Sequence, residues 1–116
     1  MPASFSIDEL PEAWVLTARG ELDYADNAAF RSCIESVLAG GPTAIVVDMS
    51  EIHYLDSSGL GLLLRLHREY GAEPGRLVLV PSEPVRGVLE ITRLTNLFTT
   101  SPDRAAALAS LRHPAA

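Results

Sequence analysis

Two serines and an aspartate stand together in Asp56-Ser57-Ser58-Gly59-Leu60-Gly61, just ahead of a leucine-dense segment. Asp or Ser in that place is an ordinary N-cap. Its side-chain oxygen accepts from a free backbone N–H of the first helical turn, and its loss costs about 1 kcal/mol. The glycines are less ordinary. Each costs about 1 kcal/mol against alanine inside a helix. A sequence that keeps both points to close helix–strand packing, or to backbone that something must approach. Two hydroxyls at a helix N-terminus also make a natural phosphate position, because free N–H groups and the positive end of the dipole favour an anion.

Three kinds of site can be compared with this stretch. A serine-hydrolase elbow reads G-x-S-x-G, but Ser57 is flanked by Leu55 and Gly59, and no partner histidine is indicated. A nucleotide P-loop needs a lysine after its last glycine, and the chain contains no lysine. Asp48 follows the apolar run Thr43–Val47, as the phospho-acceptor does in two-component receiver domains. Those domains also need an acidic pair after the first strand and a late lysine, and this chain has no lysine. Elsewhere the chemistry is sparse. His53, His67 and His113 are scattered, with no metal-ligand spacing to another His or Cys, and read as surface residues. Cys33 falls on an apolar helical stripe and reads as a small buried hydrophobe. Trp14 and Phe30 fit core positions.

Composition narrows the classes further. A length of 116 residues suits one domain spanning 1–116. Nine arginines against fifteen acidic residues leave a net charge of −6. An acidic chain without a basic cluster is a poor binder of nucleic acid or anionic membrane. One cysteine allows no internal disulfide. No apolar run reaches the ~18 residues of a membrane span. Asp8 and Glu9 are foreign to a signal peptide. A cytoplasmic protein without metal or cofactor is expected.

Those residues need elements to hold them. Ser4–Asp8 alternates as a short strand, and Trp14–Arg19 alternates as a second strand ended by Gly20, the two forming a hairpin. Phe30, Cys33, Ile34, Val37 and Leu38 make one helical stripe, capped by Asp23 or Asp26 and stopped by Gly40-Gly41-Pro42. Thr43–Val47 reads as a strand buried on both faces and ending at Asp48. Ser50–His53 follows as a polar loop. Ser57–Tyr70 is a helix apolar on more than one face, so it lies deep against a sheet. Gly71–Gly75 turns, and Arg76–Val80 is a buried strand closed by Pro81. Ser82 caps a helix with Glu83 and Pro84 in its first turn. Leu97–Thr100 is a last short strand, and Ser101-Pro102-Asp103 starts a terminal helix anchored by Leu108 and Leu111. The order β-β-α-β-α-β-α-β-α predicts an α/β fold, a mixed sheet with about four helices packed on it.

Three segments carry a resemblance. Gly20-Glu21-Leu22-Asp23, Val46-Val47-Asp48-Met49-Ser50 and Leu55-Asp56-Ser57-Ser58-Gly59-Leu60-Gly61 closely resemble the STAS domain of bacterial anti-sigma factor antagonists. Ser82–Val85 and Val88–Thr92 look like a later helix of that family. The Asp-Ser-Ser-Gly-Leu-Gly string is the specific element; Gly-Glu-Leu-Asp alone is weak. The resemblance implies a STAS-like single domain with a four- to five-stranded sheet. It also implies partner switching rather than catalysis. Family members bind an anti-sigma factor that is also a serine kinase, and so free its sigma factor. The kinase phosphorylates the serine after the motif aspartate, here Ser57, and a serine phosphatase reverses this. Asp23, Asp56, Ser57, Ser58, Gly59, Leu60 and Gly61 then form the partner-binding set, with Asp23 next to the acceptor serine. The alternative is a STAS structural subunit without a phosphate switch, docking on a transporter ATPase or signalling complex. Two departures stand out. Arg93 follows Ile91-Thr92 where the family usually has glycine, and Tyr24-Ala25-Asp26 lacks a threonine often seen there.

Overall fold

The computed structural model describes residues 2–73 and 75–112. Among these, the elements follow the expected order. They are β1 (Ser4–Glu9), β2 (Trp14–Leu22), a 3-10 turn (Tyr24–Asp26), α1 (Asn27–Gly40), β3 (Ile45–Leu55), α2 (Ser57–Tyr70), β4 (Leu77–Pro81), α3 (Glu83–Ile91), β5 (Thr99–Thr100) and α4 (Arg104–Arg112). The sheet runs β1-β2-β3-β4-β5. The β1–β2 hairpin is antiparallel, and every later pairing is parallel. Parallel neighbours need a crossover, and the amphipathic helices supply it.

The helices are divided unequally between the two faces. Phe30, Ile34 and Val37 of α1, Leu63 and Leu66 of α2, and Val85 and Leu89 of α3 bury against Leu16, Ile45, Val47 and Leu79. On the opposite face Ala107 of α4, with Leu108 and Leu111 beside it, covers Val15, Val46, Val78 and Val80. This is why β3 and β4 read as continuous apolar runs: both faces of their first halves are covered. Arg104 Nη2 to Asp8 Oδ2, at 2.8 Å, ties α4 to the hairpin. No helix among the described residues is long and apolar enough to cross a membrane.

The boundaries depart from expectation in informative places. The strand beginning at Trp14 does not stop at Gly20 but runs to Leu22, and β3 starts at Ile45 and runs through Ser50–His53, expected as a loop, to Leu55. Two register shifts explain the misreading. Thr17 pairs with Asp48 but Arg19 with Glu51, and Gly20 pairs with Ile52 but Glu21 with Tyr54, so β3 gains an extra residue each time. Bulges of this kind break the period of two. The buried residues Met49, Ile52 and Leu55 are therefore spaced by three. Gly20 adopts φ 94° at the second shift, which suits a residue without Cβ. Asp48 thus lies inside a strand, and its Oδ1 accepts from the Ser50 N–H at 3.0 Å and the Ser50 hydroxyl at 2.7 Å. The last strand is only Thr99–Thr100, because Leu97 N–H closes a turn onto Leu94 O at 3.0 Å. Within Ser101-Pro102-Asp103, Asp103 caps α4, since its Oδ1 accepts from Ala106 N–H at 2.7 Å.

The end of α3 realises the departure at Arg93. Arg93 N–H reaches Glu90 O at 3.1 Å and Leu94 N–H reaches Leu89 O at 2.8 Å, a Schellman ending that requires a left-handed residue between them. Arg93 occupies it at φ 60°. Arg93→Gly relieves that strain and raises stability by about 0.5–1 kcal/mol. Urea unfolding of the two proteins checks it, with the variant's midpoint expected at the higher concentration.

Candidate functional site

The site lies where β2 and β3 end side by side. Leu22 pairs with Leu55, and the N–H of Asp56 reaches Leu22 O at 3.4 Å. Asp23 and Asp56 therefore leave adjacent parallel strands at their carboxyl ends, the edge where open α/β sheets place their binding crevices. Each aspartate then caps the helical turn after it. Asp23 Oδ1 accepts from Ala25 N–H at 3.0 Å and starts the 3-10 turn that leads into α1, while Asp26 makes no capping bond. Asp56 Oδ1 accepts from Gly59 N–H at 3.0 Å and starts α2.

The two serines behind Asp56 have different surroundings. Ser57 is the first residue of α2 and is exposed, with no side-chain hydrogen bond among the described residues. Ser58 is half-buried. Its hydroxyl donates to Asp56 Oδ1 at 2.6 Å and accepts from Asn27 Nδ2 at 2.5 Å. Asn27 is the first residue of α1, so this chain of bonds joins the starts of two helices. Reading the residues in order could not find Asn27, because its partner is 31 positions away.

The two glycines also separate. Gly59 is buried, and a Cβ there would meet Leu55 Cδ1 at 2.6 Å and Leu22 Cδ2 at 3.3 Å. Its bareness lets α2 rest on the ends of β2 and β3. Gly61 faces open space. Leu60 turns into the core. The residues of the expected partner-binding set differ in exposure. Gly59 and Leu60 support the surface from below, while Ser57 and Gly61 are exposed and Asp23, Asp56 and Ser58 are half-buried.

A family model described as the STAS domain matches residues 4–107. The chain belongs to the STAS family. A STAS-domain containing protein of Pseudomonas aeruginosa is 36% identical over 101 residues, covering 83% of this chain and 99% of that one. The crystal structure of an anti-sigma factor antagonist from Mycobacterium paratuberculosis superposes with a TM-score of 0.86 at 27% identity, over 96% of this chain and 95% of that one. The anti-sigma factor antagonist SpoIIAA in its unphosphorylated form gives 0.78 at 28% identity, over 97% of this chain and all of that one (100%). SpoIIAA in its phosphorylated form gives 0.64 at 30%, over 84% and 91%.

Around the motif, this STAS domain carries a groove of about 510 Å³ between α1 and α2, lined by Ser58, Gly61, Arg31, Arg65, Arg68 and the acidic Glu35. Arg65 also reaches Glu35 at 3.4 Å. A neighbouring hollow of about 260 Å³ shares Arg31 and is bordered by Tyr24, a residue that is 82% exposed. Among the described residues, no three His, Cys, Asp or Glu side chains converge as metal ligands. Cys33 is half-buried against the core, and its burial pushes the thiol pKa up, away from nucleophilic use. His113 lies outside the described residues.

Asp56 is the titrating group of the site. The Ser58 hydroxyl is the main cause that holds its carboxyl below the usual range; burial opposes it, and the Gly59 N–H adds to the lowering. A depressed carboxylate stabilises the fold above its unfolded pKa, about 4, and that stability is lost as the pH falls through the folded pKa. Asp56→Ala should cost about 1 kcal/mol at pH 7, the worth of an N-cap, and Asp56→Asn less, because Asn also caps. The gap between wild type and Asp56→Ala should narrow below pH 4. Unfolding titrations at pH 7 and pH 3 check both the size and the direction.

Proposed function

We propose that this STAS domain is an anti-sigma factor antagonist whose partner contact is switched by phosphorylation at Ser57. The observation that carries the reading is the free, exposed hydroxyl of Ser57 at the first position of α2, beside the capping carboxylate of Asp56. Unmodified, the surface is small and approachable at Gly61, and it binds an anti-sigma factor that has serine kinase activity. In the transfer, Ser57 Oγ bonds to the γ-phosphorus of ATP, the bond to the ADP oxygen breaks, and the hydroxyl proton passes to a base of the kinase. The phosphorylated domain leaves its partner, and a serine phosphatase resets it. The protein acts by binding, and catalysis belongs to its partners.

The electrostatics favour such a switch. A phosphate adds about −1.5 to −2 charge. It arrives next to Asp56, near the end of the strand that leads to Asp23, in a chain of net charge −6. In the free protein the N-terminus of α2 offsets part of that charge. At a dry interface the partner must desolvate the whole group. The likeness to SpoIIAA, solved in unphosphorylated and phosphorylated forms, supports the same reading. The arginines of the α1–α2 groove extend the contact surface and suit an acidic stretch of the partner. A constitutive docking subunit is the weaker reading, because it gives no reason for the hydroxyl of Ser57 to be left free.

Two substitutions test the switch. Asp56, not Ser57, caps α2, so Ser57→Ala should lower partner affinity by no more than about 1 kcal/mol. Ser57→Asp sets a second carboxylate beside Asp56 inside the contact, and affinity should fall roughly a hundredfold or more. Both should melt close to wild type, because an anion at a helix N-terminus is favourable by ~0.3–1 kcal/mol. Calorimetric titration against the anti-sigma kinase of the same cell, with thermal melts alongside, decides it. Equal affinity of two folded variants would place Ser57 outside the contact and end the proposal.

A further inference from the structure

Adjacent serines pose a problem of selection. Ser58 has, by geometry, the feature that usually activates a hydroxyl: it donates to a carboxylate oxygen, Asp56 Oδ1, at 2.6 Å. Ser57 has no such partner, yet it is the residue left open to an enzyme. What separates Ser58 from a working nucleophile–base pair is Asn27. Its Nδ2 donates to Ser58 Oγ at 2.5 Å, which occupies an oxygen lone pair and draws electron density from it. Asp56 is also weakened as a base, since the same Oδ1 accepts from Gly59 N–H.

The other end of the Asn27 amide supports a dedicated role. Asn27 Oδ1 is buried and has no hydrogen-bond partner among the described residues. A buried acceptor without a donor is destabilising, so the residue is held there for its nitrogen. The amide orientation follows from the network. The single proton of Ser58 is directed at Asp56, so only a donor can complete the contact from the Asn27 side.

We infer that Asn27 selects the phospho-acceptor: by occupying Ser58 Oγ it silences that hydroxyl and leaves Ser57 as the serine a kinase modifies. The inference rests on the phosphorylation reading above. The transfer it governs has ATP as donor and ADP as leaving group, with the serine proton passing to the kinase.

The test compares wild type with Asn27→Ala and Asn27→Asp, the second nearly isosteric but lacking the donor. Each is incubated with native-cell extract and ATP, and the modified peptides are mapped. Wild type should carry phosphate on Ser57. In both variants the ratio of Ser58 to Ser57 phosphate should rise about tenfold, the equivalent of one hydrogen bond of about 1.4 kcal/mol. Because both sites lie in one molecule, the ratio is insensitive to how well the kinase docks or how stable the variant is. Ser57 modified in all three proteins with an unchanged ratio would overturn the role of Asn27 and leave the switch standing. Modification of neither serine in any of them would overturn the phosphorylation reading and the inference with it.

Discussion

The pairing of Leu22 with Leu55 at the carboxyl end of the β2–β3 ladder is the constraint on which the site depends. Because the two strands are parallel and end level, the residues after them emerge as neighbours, and both are aspartates. Each closes a helical start with its own carboxylate, so α1 and α2 begin beside each other without a long loop. Gly59 completes the arrangement. With no Cβ, it brings the first turn of α2 down onto the side chains of Leu22 and Leu55. Asn27 and Ser58 then tie the two helix starts across the remaining gap. Ser57 is what this leaves over: it is fixed in place through its neighbours while its own hydroxyl stays unused.

That arrangement makes a switch possible without refolding. The core below it is formed by α1, α2 and α3 on one face of the sheet, and none of their buried residues need move when Ser57 changes charge. A charge at the first position of a helix is tolerated by the free protein and penalised at a closed interface. The difference between those two environments, rather than a change of shape, is the free energy that the proposed switch would use. In the proposed switch, partner release would follow from local electrostatics in a fold that stays intact.

Much of this is legible in the amino-acid sequence, for identifiable reasons. The helices α1 to α3 carry strong apolar periodicity and ordinary punctuation, such as Ser82 before Glu83-Pro84, and their expected bounds lie close to the observed ones. Asp56–Gly61 stands out because two glycines near a helix start need a reason. The second half of β3 is not legible. Strand recognition assumes a period of two, and the bulges opposite Thr17–Arg19 and Gly20–Glu21 space Met49, Ile52 and Leu55 by three. Ser50, Glu51 and His53 then read as loop, although they are exposed residues of a strand. Sequence alone also cannot divide Gly59 from Gly61, or Ser58 from Ser57. Those distinctions depend on Leu22, Leu55 and Asn27, which reach the site only through the fold.

The central claim is that phosphate on Ser57 changes the charge of a preformed surface and not the fold. The direct measurement is a pair of ¹⁵N-resolved NMR spectra, one of the unmodified chain and one with phosphoserine incorporated at position 57 during synthesis. The account predicts shifts confined to residues 23–31 and 55–62, with α3, α4 and the β1–β2 hairpin unmoved. Shifts spread through β1, β4 and α3, or a loss of dispersion on phosphorylation, would contradict it and make the switch a conformational one.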